Sequence, residues 1–285
     1  MDGIIIVRKP AGITSFDVIW KLRRILKEKK IGHTGTLDPL AEGVLVVCTG
    51  KATRLAKDIE ARDKEYEAGF RLGVVTDSYD TEGKILKECE GFSVNAEDIR
   101  SALVSFTGKI TQKPPMFSAV KQDGKKLYVL ARHGVEVERE AREIEISRLE
   151  LLDFDGREGT LRAVVSKGTY IRSLIHDLGE KLGPGAVMRA LVRTRCGDIS
   201  LDRARTLEEI SAMAGAGDHS FLIPTEDFFP YPRLVLSGEK NHILFRNGNT
   251  VVTEAPDGLY RIYYENQFAG FGKMLGNRLK GYQYF

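Results

Sequence analysis

The apolar residues of this 285-residue chain come in short runs, and no uncharged run approaches the roughly 18–20 residues of a membrane span. The first run, Gly3 to Val7, has strand length and is stopped by Lys9-Pro10 and Gly12. It follows an acid and is too short for the apolar core of a secretory signal, so a soluble cytoplasmic protein is expected. Thr14 or Ser15 then caps a helix on which Val18, Ile19, Leu22, Ile25 and Leu26 keep helical spacing. Val44 to Cys48 reads as a second buried strand and Lys51 to Ala61 as a helix. Strands are expected at 66–73 and 84–88, joined by a polar turn at 76–83, with a helix at 96–106. Paired strands at 144–154 and 160–166, a helix at 170–182 and an extended stretch at 189–199 follow. Strands and helices do not alternate cleanly, which points to an α+β fold with a mixed, largely antiparallel β-sheet rather than a doubly wound one.

Phe228-Phe229-Pro230-Tyr231-Pro232 marks a candidate boundary. Beyond it, short strands punctuated by glycine suggest a small C-terminal β-barrel over 229–285, after a first domain at 1–228. Within that first domain, Pro114-Pro115 opens a Lys/Arg-rich insertion at about 115–140, around a short helix at Lys125–Arg132.

The net charge of +3 hides an asymmetry. Residues 1–57 carry 11 Lys/Arg against 5 Asp/Glu and residues 230–285 carry 7 against 4, so the middle is net negative. One face of the first helix and the loop after it hold Lys21, Arg23, Arg24, Lys27, Lys29 and Lys30, with Glu28 as the acid among them. Such clusters suit a polyanion partner, though solvated helix faces look alike. The three cysteines form no C-x-x-C pair and the five histidines no H-x-x-x-H pair, so neither a disulfide framework nor a zinc site is expected. Around Gly50-Lys51 both the leading glycine of a P-loop and the Ser/Thr after its lysine are missing. Ser78, Asp80, Glu82 and Gly83 imitate a calcium loop without its first Asp or its last Glu. Ser118-Ala119-Val120-Lys121 matches S-x-x-K without the partner motifs of that chemistry.

The stretch Gly32-His33-Thr34-Gly35-Thr36-Leu37-Asp38-Pro39-Leu40-Ala41-Glu42-Gly43 is the most unusual in the chain. Pro39 holds Asp38 extended, and the glycines permit tight folding and close approach by a ligand. Asp-Pro also starts turns, so this loop alone leaves Asp38 open between a turn former and a functional carboxylate.

The whole loop closely resembles the signature of the TruB family of tRNA pseudouridine synthases. Further blocks extend the resemblance along nearly the whole chain. They are Lys9-Pro10-Ala11-Gly12-Ile13-Thr14-Ser15, Asp63-Lys64-Glu65-Tyr66 and Thr76-Asp77-Ser78-Tyr79-Asp80. Gln112-Lys113-Pro114-Pro115-Met116-Phe117-Ser118-Ala119-Val120-Lys121, Ser166-Lys167-Gly168-Thr169-Tyr170-Ile171-Arg172 and Leu191-Val192-Arg193-Thr194-Arg195 continue it. Arg8, Val192 and Cys196 depart from the family pattern, at positions that match none of its catalytic residues.

The resemblance implies a pseudouridine synthase catalytic domain with an RNA-gripping thumb, followed by a PUA-like RNA-binding domain. It implies conversion of uridine to pseudouridine at position 55 in the T-loop of tRNA, with no cofactor and no metal. Asp38 matches the catalytic aspartate, a carboxylate suited to covalent or base chemistry on a flipped-out uridine. Arg172 matches the arginine that pairs with it, a cation that favours an ionised partner. Tyr66 matches the tyrosine that stacks on the target base and serves in proton transfer. Tyr170 and Leu191 match walls of the base pocket, and His33 the histidine that supports the rearranged RNA loop. Lys9 and Lys64 are motif lysines beside the cleft, for substrate contact or for structure. Lys121, Lys125, Lys126 and Arg132 belong to the thumb, where phosphate contacts are expected. A guide-RNA-dependent dyskerin-type subunit and a non-catalytic RNA-binding or tRNA-folding protein are the alternatives. The thumb-like insertion and a start almost at the first motif favour a guide-independent enzyme, expected as a monomer with no obligatory protein partner.

Overall fold

The computed structural model describes residues 1–122 and 124–285; Asp123, inside the basic insertion, lies outside them. The large sheet runs in the order Leu222–Ile223, Gly3–Lys9, Glu42–Thr49, Ala186–Cys196, Lys64–Leu72, Glu158–Val165, Arg142–Phe154, Gly108–Gln112. Ile31–His33 and Ile199–Ser200 add short flanking pairings. Among the described residues of this sheet, every pairing of one named strand with another is antiparallel except that of Ala186–Cys196 with Glu42–Thr49. The expected mixed, largely antiparallel sheet of an α+β fold is therefore present.

The central strands are continuous apolar runs because both of their faces are covered. Ile5, Val7, Leu45 and Val47 enter one core with Val18, Ile19 and Leu22 of the helix Ser15–Leu26. Their alternates Ile4, Ile6, Val44, Val46 and Cys48 enter a second core that includes Phe229 and Phe271. Period-2 side-chain alternation thus feeds two layers from one strand. The second core also joins the large sheet to a five-stranded sheet, ordered Arg233–Val235, Gly258–Tyr264, Gln267–Leu275, Arg278–Tyr284, Val251–Val252. Phe245 of the helix Glu239–Arg246 belongs to a third core, with Ile262, Met274 and Leu279 of that sheet.

Two local expectations change. The strand Ile85–Glu88 does not pair with Lys64–Leu72; it pairs with the short Val74–Thr76. Lys64–Leu72 is instead a central strand between Glu158–Val165 and Ala186–Cys196, so both of its edges are already hydrogen-bonded. Helix capping is also divided. Thr14 alone forms the capping box, its Oγ accepting from Asp17 N at 3.1 Å while Asp17 accepts from Thr14 N at 2.8 Å. Ser15 turns inward to the Asp38 loop.

Candidate active site

The loop from Leu37 to Ala41 is clamped from two sides. Ser15 Oγ accepts from Leu37 N at 2.8 Å and donates to Leu37 O at 3.1 Å. Gly12 N donates to Pro39 O at 2.8 Å, and Ala41 N to Asp38 O at 3.1 Å. The fully buried Lys9 spends its ammonium donors on Pro10 O at 2.9 Å, Pro39 O at 3.3 Å and Ala41 O at 2.5 Å. Burial pushes its pKa down to about 8, against the pull of the Asp38 charge. Lys9 is thus a brace of the loop, with no donor left for an RNA phosphate. Lys64 is buried likewise and donates to the carbonyls of Glu60 and Arg62.

Asp38 stands at the mouth of this frame, its side chain 33% exposed, against Arg172, whose side chain is 5% exposed. Arg172 NH2 donates to Asp38 Oδ1 at 3.1 Å. Its Nε lies 2.9 Å from Oδ2 with its N–H off the line, so the pair is one hydrogen bond plus one close ionic contact rather than a full fork. The remaining donors fix the guanidinium, with NH1 on Ser78 O at 3.0 Å and NH2 on Phe117 O at 2.8 Å. Arg172 sits in the first turn of the helix Ile171–Leu182, which begins at Tyr170. Gln112 grips that start, accepting from Tyr170 N at 2.8 Å and donating to Tyr170 O at 3.0 Å. Burial raises the pKa of the Tyr170 phenol, keeping it neutral.

A second charge system lies behind Tyr66. The parallel junction sets Arg193 opposite Gly43, and the next pairing sets Arg193 opposite Tyr66. Gly43 has φ +106°, and a Cβ there would come within 2.3 Å of Arg193 O, so only glycine fits. Arg193 is buried and donates to Val44 O at 2.6 Å, Gly35 O at 3.1 Å and, more weakly, Tyr66 Oη at 3.4 Å. His33, on the neighbouring strand Ile31–His33, is held neutral by burial first and by the Arg193 charge second. Leu191, two residues before Arg193, is buried in the core with Tyr66.

Asp38, Arg172, Tyr66, Tyr170, Leu191, His33 and Lys9 therefore belong to one connected frame. The cations of the basic insertion do not enter it. Lys121, Lys125 and Lys126 are exposed on a hairpin, and Arg132 on the helix Leu127–Arg132. Lys126 and Arg132 both approach the Tyr128 ring, each at 5.5 Å. The base of this segment reaches the site through Phe117 O.

Two residues of the frame were not singled out by the sequence. Arg193 carried no signal beyond its motif. Asp80, buried, lies 3.6 Å from Arg172 NH1 and accepts from Ser78 Oγ at 2.5 Å and Glu82 N at 3.1 Å. The near-calcium pattern around Ser78 and Asp80 was a trace of this: a carboxylate turned inward for an arginine. Among the described residues no group of three or more His, Cys, Asp or Glu side chains is placed to hold a metal ion.

Apart from Lys9 and the Gly12 and Ser15 contacts that brace it, this frame falls inside two family matches. Residues 23–171 match the TruB family pseudouridylate synthase N-terminal domain, and residues 172–228 the tRNA pseudouridylate synthase B C-terminal domain. Fold and frame together define a pseudouridine synthase. The chain is 50% identical, over the full length of both, to the tRNA pseudouridine synthase B of Fusobacterium nucleatum subsp. nucleatum. It is 42% identical to that of Clostridium tetani, over 96% of each chain. A solved H/ACA RNP bound to a substrate RNA containing 2′-deoxyuridine superposes with a TM-score of 0.72 at 25% identity, over 99% of this chain and 84% of that one. The chain belongs to the TruB family.

Proposed function

We propose that this protein converts uridine to pseudouridine in tRNA, at position 55 of the T-loop, without a guide RNA. The observation that carries the reading is Asp38. It is a partly exposed carboxylate in a braced loop, held by a buried arginine, in a chain similar over its full length to tRNA pseudouridine synthases. The reaction breaks N1–C1′, turns the uracil over and joins C5 to C1′, while the proton on C5 leaves and N1 gains one. No atom is added, so the protein must hold the detached base and move protons. Asp38 is the carboxylate that drives the cleavage. Arg172 aims it, and Asp80 shares the Arg172 charge. Tyr66 stacks on the base and serves the proton transfer, with the Arg193 guanidinium beside its oxygen. Tyr170 and Leu191 wall the pocket. His33 supports the RNA loop left by flipping, which costs a few kcal/mol of stacking and pairing. Residues 115–140 act as the thumb and 229–285 as a PUA-like RNA-binding domain of a cytoplasmic monomer.

A guide-dependent subunit is the competing reading, favoured by the H/ACA superposition. The full-length likeness to proteins named tRNA pseudouridine synthase B outweighs it. The test uses an unmodified tRNA transcript tritiated at uracil C5, with purified protein and no other RNA. Tritium is released by the wild type and not by Asp38→Asn. Silence of the wild type until guide RNA is added would establish the competing reading, and release by Asp38→Asn would remove Asp38 from its role.

A further inference from the structure

The helix Ser15–Leu26 has an outer face that neither core uses. Phe16, Trp20 and Arg24 recur every fourth residue and form one exposed stripe, Phe16 being 61% and Trp20 50% exposed. Trp20 is the one tryptophan in the sequence. The Arg24 guanidinium lies over its ring at 4.8 Å, and Arg23 stands 6.0 Å from the Phe16 ring. Lys21, Lys27, Lys29 and Lys30 are exposed around the stripe. The acids nearby are engaged: Asp17 closes the capping box, and Glu28 accepts from Lys30 N at 2.9 Å and from the Met1 amine at 2.8 Å. Flat aromatic surface and a surplus of positive charge, with Lys21, Arg23, Arg24, Lys27, Lys29 and Lys30 against Asp17 and Glu28, therefore share one face. An acidic protein surface would answer the charge alone and an apolar one the rings alone. An unpaired nucleotide answers both, by a base that stacks and a phosphate that meets cations. Ser15, at the head of this helix, is hydrogen-bonded to Leu37, the neighbour of Asp38, so the helix that carries the stripe is tied directly to the catalytic loop.

We propose that Phe16 and Trp20 form a stacking platform for an unpaired base of the tRNA other than the reacting uridine, with Arg24, Lys21 and Lys27 on the adjoining phosphates. The inference rests on the proposed action on tRNA and adds a second holding point on the substrate.

The single tryptophan makes the test direct. Asp38→Asn protein is titrated with unmodified tRNA and with an isolated T-arm stem–loop while Trp20 emission and the anisotropy of labelled RNA are followed together. Emission is expected to fall along the same isotherm as binding. Trp20→Ala should weaken binding by about tenfold, and Trp20→Phe, which keeps a ring, by much less. Tritium release by the wild type on the same tRNA is scored separately. RNA binding that leaves Trp20 emission unchanged, with Trp20→Ala within about twofold of its parent, would overturn the platform and leave the enzymatic reading standing. Quenching by tRNA without tritium release would support the platform and count against the enzymatic reading alone. Equal quenching by polyglutamate would assign the face to an acidic protein and overturn the RNA proposal.

Discussion

Replacing Arg172 by lysine keeps the charge and removes the branched guanidinium, and so separates the two contributions of this residue. The guanidinium donates to Ser78 O, Phe117 O and Asp38 Oδ1 at 3.0, 2.8 and 3.1 Å, and the residue is buried. A lysine ammonium is a single point and can retain about one of these three bonds. Two buried bonds from a charged donor are lost, at about 1.5 kcal/mol each, or about 3 kcal/mol in all. With an unfolding entropy of about 2.1 cal/mol/K per residue, a chain of this length loses about 5 °C in Tm. Asp38 also loses its aim, and misplacement of a reacting group by about 1 Å costs on the order of 100-fold in rate. Differential scanning calorimetry and single-turnover tritium release read the two effects on one preparation. A variant that melts within about 1 °C of the wild type and turns over within about threefold would show that charge alone suffices, refuting the assignment of geometry to Arg172.

Lys9→Met should change the pH dependence of stability in a defined window. The pKa of Lys9 is held near 8 by burial, against 10.5 ordinarily, so between these values the unfolded chain holds a proton the folded chain lacks. Stability then rises with pH across that window by up to about 1.4 kcal/mol per unit in the wild type, and urea melts should show this contribution absent from the variant. Gly43→Ala forces a Cβ against Arg193 O at positive φ and should cost about 1–3 kcal/mol or more, read by urea unfolding or as loss of soluble protein. Gln112→Leu unpairs the backbone of Tyr170 at the helix start and should lower kcat while leaving tRNA affinity within about threefold, measured by tritium release and filter binding. Lys125→Glu with Lys126→Glu should weaken tRNA binding and flatten its salt dependence by about two phosphate contacts; an unchanged slope would remove the thumb from the RNA footprint.

Helices with complete local signals were legible in the chain. Ser15–Leu26 has its cap and its apolar stripe within a dozen residues, and Ile171–Leu182 its amphipathic pattern. The helix Leu207–Gly215 passed unread although Thr206 and Glu209 spell a capping box. Glu239–Arg246 offered little to read, because Phe245 is its one buried residue. Strand partners were harder. The pairing of Ile85–Glu88 depends on where Lys64–Leu72 is already engaged, which is a property of the whole sheet.

The same division holds at the site. The resemblance of ordered sequence motifs to a known family marked Asp38, Tyr66 and Arg172, because such motifs are local; residue chemistry alone left Asp38 open. Tertiary structure decided that Lys9 braces a loop, that Asp80 shares Arg172, and that Arg193 stands behind Tyr66. It also left Trp20 in solvent, on a helix whose basic face was plain from the sequence. Whether a charged side chain meets carbonyls, a carboxylate or water depends on distant segments. Asp38 and Arg172 lie 134 positions apart, and only the assembled tertiary structure brings them to 2.9 Å.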